Sequence, residues 1–133
     1  MTVHDDNTSL WELLEFSEKD ERHKMMAAVI GLTLAWQIRA MRSHRGWSQA
    51  RLSELMETSQ PVVARLENPE KVLHSTMATL LKVATVFDVA LIARFADWKV
   101  WMETMLGRDA FVPMPFDEEK LLREGGHDHG ATQ

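Results

Sequence analysis

Glutamine and arginine are the side chains best suited to gripping a flat partner by two hydrogen bonds at once. This chain places Gln49, Arg51, Gln60 and Arg65 within one short stretch. A glutamine amide donates and accepts together, and a guanidinium presents a rigid fork of donors. Such groups recognise base edges, phosphates or carboxylates without breaking a bond. Just upstream lie Arg39, Arg42 and Arg45, and no acidic residue falls between Arg39 and Arg51. An anionic partner meets that local charge rather than the whole-chain average.

Residues for bond-breaking chemistry are poorly arranged by comparison. The 133 residues include no cysteine, so neither a thiolate nucleophile nor a thiolate metal site can form, a composition that suits a cytoplasmic protein. His4-Asp5-Asp6 and His127-Asp128-His129 have ligand chemistry but sit in terminal arms with no third ligand fixed nearby. Asp117-Glu118-Glu119 has nothing to orient it against a nucleophile or base and reads as a solvated tail. With no glycine-rich phosphate loop and no triad, the reading is no enzyme, no cofactor and no metal.

The recognition residues need elements to hold them, and the run from Ser48 to Asn68, SQARLSELMETSQPVVARLEN, supplies two. Leu52, Leu55 and Met56 share one helical face over about 49–56, and Val63 and Leu66 do so in a second helix over 59–67. Ser48 and Ser59 stand where each helix starts and can cap an orphaned N–H, while Pro61 falls in a first turn. The connection at Glu57 and Thr58 is tight. The pattern is that of a helix-turn-helix.

Charge is distributed unevenly around this unit. Residues 1–24, 25–96 and 97–133 carry −4, +3 and −4, within a net −5. The longest apolar run, Met25 to Trp36, is too short for a bilayer, and the acidic start MTVHDDNTSL lacks a signal-peptide pattern. Residues 1–8 read as a disordered arm. Ser9 opens a capping box with Glu12 ahead of Leu13, Leu14 and Phe16, and Ser17-Glu18-Lys19-Asp20 starts a long helix to His44 with Gly31 as a kink. Met26, Val29, Ile30, Trp36 and Met41 supply its buried positions, and Gly46 its cap. Asn68-Pro69-Glu70-Lys71 forms a turn, Ser75 or Thr76 caps a helix with Met77, Leu80, Leu81, Ala84 and Phe87 inward, and Val89 to Phe95 (VALIARF) reads as a strand. Residues 97–106 read as one more helix, and Arg108 onward as a loose acidic tail.

The segments QIRAMRSHRGWSQARLSELM, SQPVVARLENP and TLLKVATVFDVALIARF resemble the Cro/repressor type of helix-turn-helix domain, the XRE family of bacterial and phage regulators. The likeness spans Gln37 to Phe95. It implies a mainly α, lambda-repressor-like bundle over 9–96, with an added N-terminal helix, one C-terminal strand, and 97–133 as helix and tail. It also implies a DNA-binding regulator, a repressor, with helix 59–67 in the major groove. Gln60 matches adenine N6 and N7, Arg65 forks onto guanine O6 and N7, and Pro61 and Val62 can meet a thymine methyl. By the resemblance, Gln49 binds phosphate and braces Gln60, and Asn68 and Lys71 occupy backbone-contacting positions. Ser59, Arg45 and Arg51 are further phosphate candidates; the alternative for Arg39, Arg45 and Arg51 is a solvated face. The family position of Arg42 implies a structural ion pair with Glu67. Trp47 reads as a core plug, and the nine methionines as core filler.

Glu57 departs from the family, because the turn commonly has a positive-φ glycine there, and such a backbone costs a non-glycine residue roughly 1–2 kcal/mol. A lone strand needs a partner, and the simplest is its copy in a homodimer, joined through Val89, Leu91, Ile92 and Phe95 with Trp98 and Trp101 covering the junction. Such a dimer reads an inverted repeat of double-stranded DNA. The alternative reading is an antitoxin or accessory protein whose acidic arms clasp a second protein such as a toxin, with DNA binding secondary.

Overall fold

The computed structural model describes residues 11–107 and 112–128, without the side chains of His127 and Asp128. The 1–8 arm, the Ser9 cap, His4-Asp5-Asp6 and His129 lie outside the described residues, as do the side chains of His127 and Asp128. Residues 11–15 form helix α1. There follow α2 (Lys19–His44), α3 (Gln49–Leu55), α4 (Gln60–Leu66), a 3-10 turn (Val72–His74), α5 (Met77–Phe87), α6 (Trp98–Met105) and α7 (Phe116–Asp128). The chain is mainly helical, and no strand occurs among the described residues. No described helix is long and apolar enough to cross a membrane.

The core is small and built from helix faces. Ala35, Ile38 and Met41 of α2 meet Leu52 and Met56, Val63 and Leu66 of α4, Val72 of the 3-10 turn, and Val83 and Phe87 of α5. Among the described residues no buried side-chain nitrogen or oxygen lacks a hydrogen-bond partner. Trp47 stacks on Phe87 with ring centroids 5.4 Å apart and seals one edge of the core.

Local chemistry sets the helix ends. α2 closes on Gly46 at φ 68°, with the Trp47 N–H donating to the Arg42 carbonyl (3.1 Å) and the Gly46 N–H to that of Ser43 (3.0 Å). This double bond pattern satisfies carbonyls that the helix leaves open. α3 and α5 end the same way with a left-handed residue, but here it is Glu57 (φ 55°) and Asp88 (φ 54°). Thr58 N–H reaches Ser53 O (2.9 Å), and Val89 N–H reaches Ala84 O (3.0 Å).

Several expectations need correction. Glu18 rather than Ser17 holds the N-cap position of α2, without a side-chain cap bond, because the Ser17 hydroxyl donates to Leu14 O at 2.7 Å. Gly31 does not interrupt α2. Its missing side chain serves close packing: a Cβ there would collide with the Pro69 carbonyl oxygen and lie 3.4 Å from Leu73. Trp36 is exposed, since the buried face of α2 runs through Gly31, Ala35, Ile38 and Met41, roughly 150° around the helix from it. On α5 the inward residues are Val83 and Phe87 with Leu80 beside them, and Met77 and Leu81 face out.

Val89 to Phe95 forms no strand. A strand is defined by its ladder, and no described segment of this chain offers an edge to pair with. Ile92 and Phe95 are left exposed. Residues 112–128 are not a loose tail either. Val112 packs against the core edge, the Phe116 N–H donates to the Asp88 carbonyl (3.0 Å), and α7 follows as an exposed acidic helix with i,i+4 pairs Lys120–Glu124 (4.0 Å) and Glu119–Arg123 (3.4 Å). On α6, Trp98 meets His23 of α2 edge-on at 5.5 Å and Trp101 at 5.6 Å.

Candidate functional site

α3 and α4 pack directly on one another, and α4 also packs on α2. Ser48 caps α3 by accepting from the Arg51 N–H at 3.0 Å, and the buried Ser53 hydroxyl donates to Ala50 O at 2.7 Å. Ser59 holds the N-cap position of α4 but makes no side-chain cap bond. Two residues on, Pro61 lies in the first turn, where its lack of an N–H costs nothing.

The two sides of α4 differ in chemistry. Val63 and Leu66 are buried and fix the helix to the core. Ser59, Gln60, Pro61 and Arg65 are exposed, so an amide and a guanidinium project from a helix that its other face holds still. Val62 is half-buried and packs against the core, which limits how much of its side chain a partner can reach. Of the four residues assigned to base reading, Gln60, Pro61 and Arg65 are therefore open.

A buried ion pair anchors the far end of α4. Arg42 of α2 grips Glu67 with both prongs, Nε to Oε2 at 2.7 Å and Nη2 to Oε1 at 2.8 Å, and its Nη1 donates to Trp47 O at 2.8 Å. Exposure is 16% for the Arg42 side chain and 5% for Glu67. The Glu67 hydrogen bond raises the Arg42 pKa further above its ordinary range, against the opposing effect of burial, so the guanidinium stays charged. One cluster thus ties the end of the long helix, the α2–α3 turn and the end of α4.

The phosphate candidates are dispersed. Gln49 is half-buried at the start of α3, and Lys71 is exposed. Asn68 accepts from the Glu70 N–H (2.9 Å), which shapes the loop after α4. Arg51 pairs with Glu54 across an exposed surface at 3.1 Å, a weak attachment that a phosphate can replace. Arg45 is more committed: it donates to Phe87 O at 3.4 Å and lies over the Trp47 ring at 5.3 Å. Its charge therefore serves the α2–α5 junction as well as any phosphate.

Sequence reasoning missed the burial of Val72, which fills the core from a 3-10 turn within what reads as loop. The apolar pair Val72-Leu73 after a polar turn was the available signal. Among the described residues no group of three His, Asp or Glu side chains could hold a metal ion. Compared with protein-family models, curated proteins and solved structures, the chain matches none.

Proposed function

We propose that this chain is a cytoplasmic, non-enzymatic, sequence-specific DNA-binding regulator of the XRE helix-turn-helix type, acting as a homodimeric repressor. The observation that carries the reading is the two-sidedness of α4: Val63, Leu66 and the Arg42–Glu67 pair hold it, while Gln60, Pro61 and Arg65 project from it. A major groove about 12 Å wide admits such a helix, with Gln60 set to pair with adenine and Arg65 with guanine. Arg51, Gln49, Ser59, Asn68 and Lys71 supply contacts to the sugar-phosphate backbone that fix register. The +3 charge of residues 25–96 against −4 on either side supports an anionic partner at this face.

Dimerisation pairs the segment Val89, Leu91, Ile92 and Phe95, of which Ile92 and Phe95 are exposed, with its copy, each strand supplying the ladder that the other lacks. Two copies of α4 then face half-sites about 34 Å apart. Selection of bound duplexes from random DNA tests this. An enriched inverted repeat is the expected result, and failure to enrich any sequence at moderate salt contradicts the reading.

A second reading rests on a specific observation. α7 is an exposed helix with an acidic first turn and bare Phe116, Leu121 and Leu122, the surface of a segment that clasps another protein. An antitoxin or accessory role with secondary DNA binding uses it, and stoichiometric copurification of a second protein would select that role.

A further inference from the structure

α2 bears a second apolar stripe that is partly open to solvent. Leu32 is 60% exposed and Trp36 51% exposed, and half-buried Met25 and Val29 continue the same stripe. The steps from Met25 to Val29 to Leu32 to Trp36 are those of a coiled-coil seam. At 3.6 residues per turn the stripe lies roughly a third of a turn from the core-facing Ala35 and Ile38. Surface leucine and tryptophan at this spacing on a 26-residue helix are arranged to meet another helix.

The ends of the stripe indicate which one. Exposed Glu21 continues it toward the N-terminus and exposed Arg39 toward the C-terminus. The stripe is therefore self-complementary about a point between Ile30 and Gly31. An antiparallel copy sets Val29 against the partner's Leu32 and Met25 against the partner's Trp36, and brings Glu21 within one residue of the register of the partner's Arg39. A parallel copy would instead oppose like charges at both ends, which is unfavourable. The N-terminal end is also widened by an open groove lined by Glu12, Leu13, Phe16, Ser17 and Glu21, in which Leu13 and Phe16 are exposed. The antiparallel arrangement delivers an aromatic ring and a guanidinium to that apolar and acidic surface.

We infer that α2 seats a second copy of this chain, antiparallel and two-fold, through Met25, Val29, Leu32 and Trp36 with Glu21–Arg39 pairs at each end. This isologous contact is independent of DNA binding and of the 89–95 segment. A chain that uses both interfaces assembles beyond a dimer.

The absence of cysteine makes the contact directly testable. Met25→Cys and Trp36→Cys chains, mixed and mildly oxidised, should form an interchain disulfide, and each variant alone should not. Antiparallel pairing separates the two copies of position 25 by about 16 Å along the axis, beyond the ~7 Å Cα limit of a disulfide. No cross-link in the mixture, or equal cross-linking by Met25→Cys alone, would overturn the proposal. The double substitution Leu32→Glu with Trp36→Glu, at exposed positions that preserve the fold, should halve the sedimenting mass at unchanged helical circular dichroism. An unchanged mass would overturn it as well. The cross-link should persist in a Phe95→Ser background, and its loss there would refute independence from the 89–95 segment.

Discussion

The α3–α4 unit and the described residues from Val89 to α7 both present exposed side chains, but of opposite character. On α4, polar Gln60 and Arg65 face outward and apolar Val63 and Leu66 face inward, with Arg42–Glu67 as a clamp. Beyond α5 the outward residues include Ile92, Phe95, Phe116, Leu121 and Leu122. The first region offers hydrogen-bonding groups on a helix whose other face is buried in the core. The second leaves apolar area in water, which points to contact with protein. On the proposed reading, that difference divides the surfaces between an anionic ligand and another polypeptide.

The largest expected effect attacks the clamp. Glu67→Ala should lower unfolding stability by about 3–5 kcal/mol, read by chemical denaturation, because it strands the Arg42 guanidinium in a nearly buried site. The raised pKa of Arg42 means that its contribution is fully present below the ordinary arginine range and is lost only when pH rises above the folded value. Near-neutral titration therefore leaves the arginine side of the clamp intact. A Glu67→Ala loss below ~1 kcal/mol would show that α4 is held by apolar packing alone.

A smaller effect, of opposite sign, lies in the turn. Glu57→Gly should stabilise the chain by roughly 1 kcal/mol, since glycine adopts φ 55° without steric cost. Next come the two serines in equivalent positions. Ser48→Ala should cost about 1 kcal/mol, whereas Ser59→Ala, which breaks no cap bond, should cost a few tenths by the same denaturation measurement. Smallest in stability is Phe95→Ser, within about 0.5 kcal/mol, because that ring is fully exposed. Its effect should appear as a lower sedimenting mass, and a large stability loss would instead place Phe95 in the core of each chain.

How much of this was legible in the sequence depends on how local its cause is. The α3–α4 unit was read almost residue by residue, because the Ser48 cap, Pro61 and the apolar spacing act within a turn or two of the chain. The positive φ of Glu57 was also foreseeable, from where a left-handed residue must stand. The resemblance, not spacing, suggested Arg42 with Glu67, a contact across 25 positions. What the sequence did not reveal is non-local. Met77 and Leu81 match the helical period as well as Val83 does, and only the position of α5 against Ala35 and Ile38 decides which face is buried. Val72 looks like loop until the core closes over it. The strand reading of Val89 to Phe95 has no ladder within the single chain, because β structure lies in the pairing rather than in the segment. The docking of Val112 and Phe116 beside Asp88 leaves no signature in composition at all.

The central claim is that the outward side of α4 reads bases, and parallel selections from random duplex DNA with the native chain and the Arg65→Ala variant test it most directly. The account predicts that the native chain enriches an inverted repeat. It also predicts that the variant loses preference at a guanine in each half-site, a discrimination of about 1–3 kcal/mol, while its other positions and its melting temperature are retained. Identical preferences from both proteins, or enrichment by neither, would contradict it.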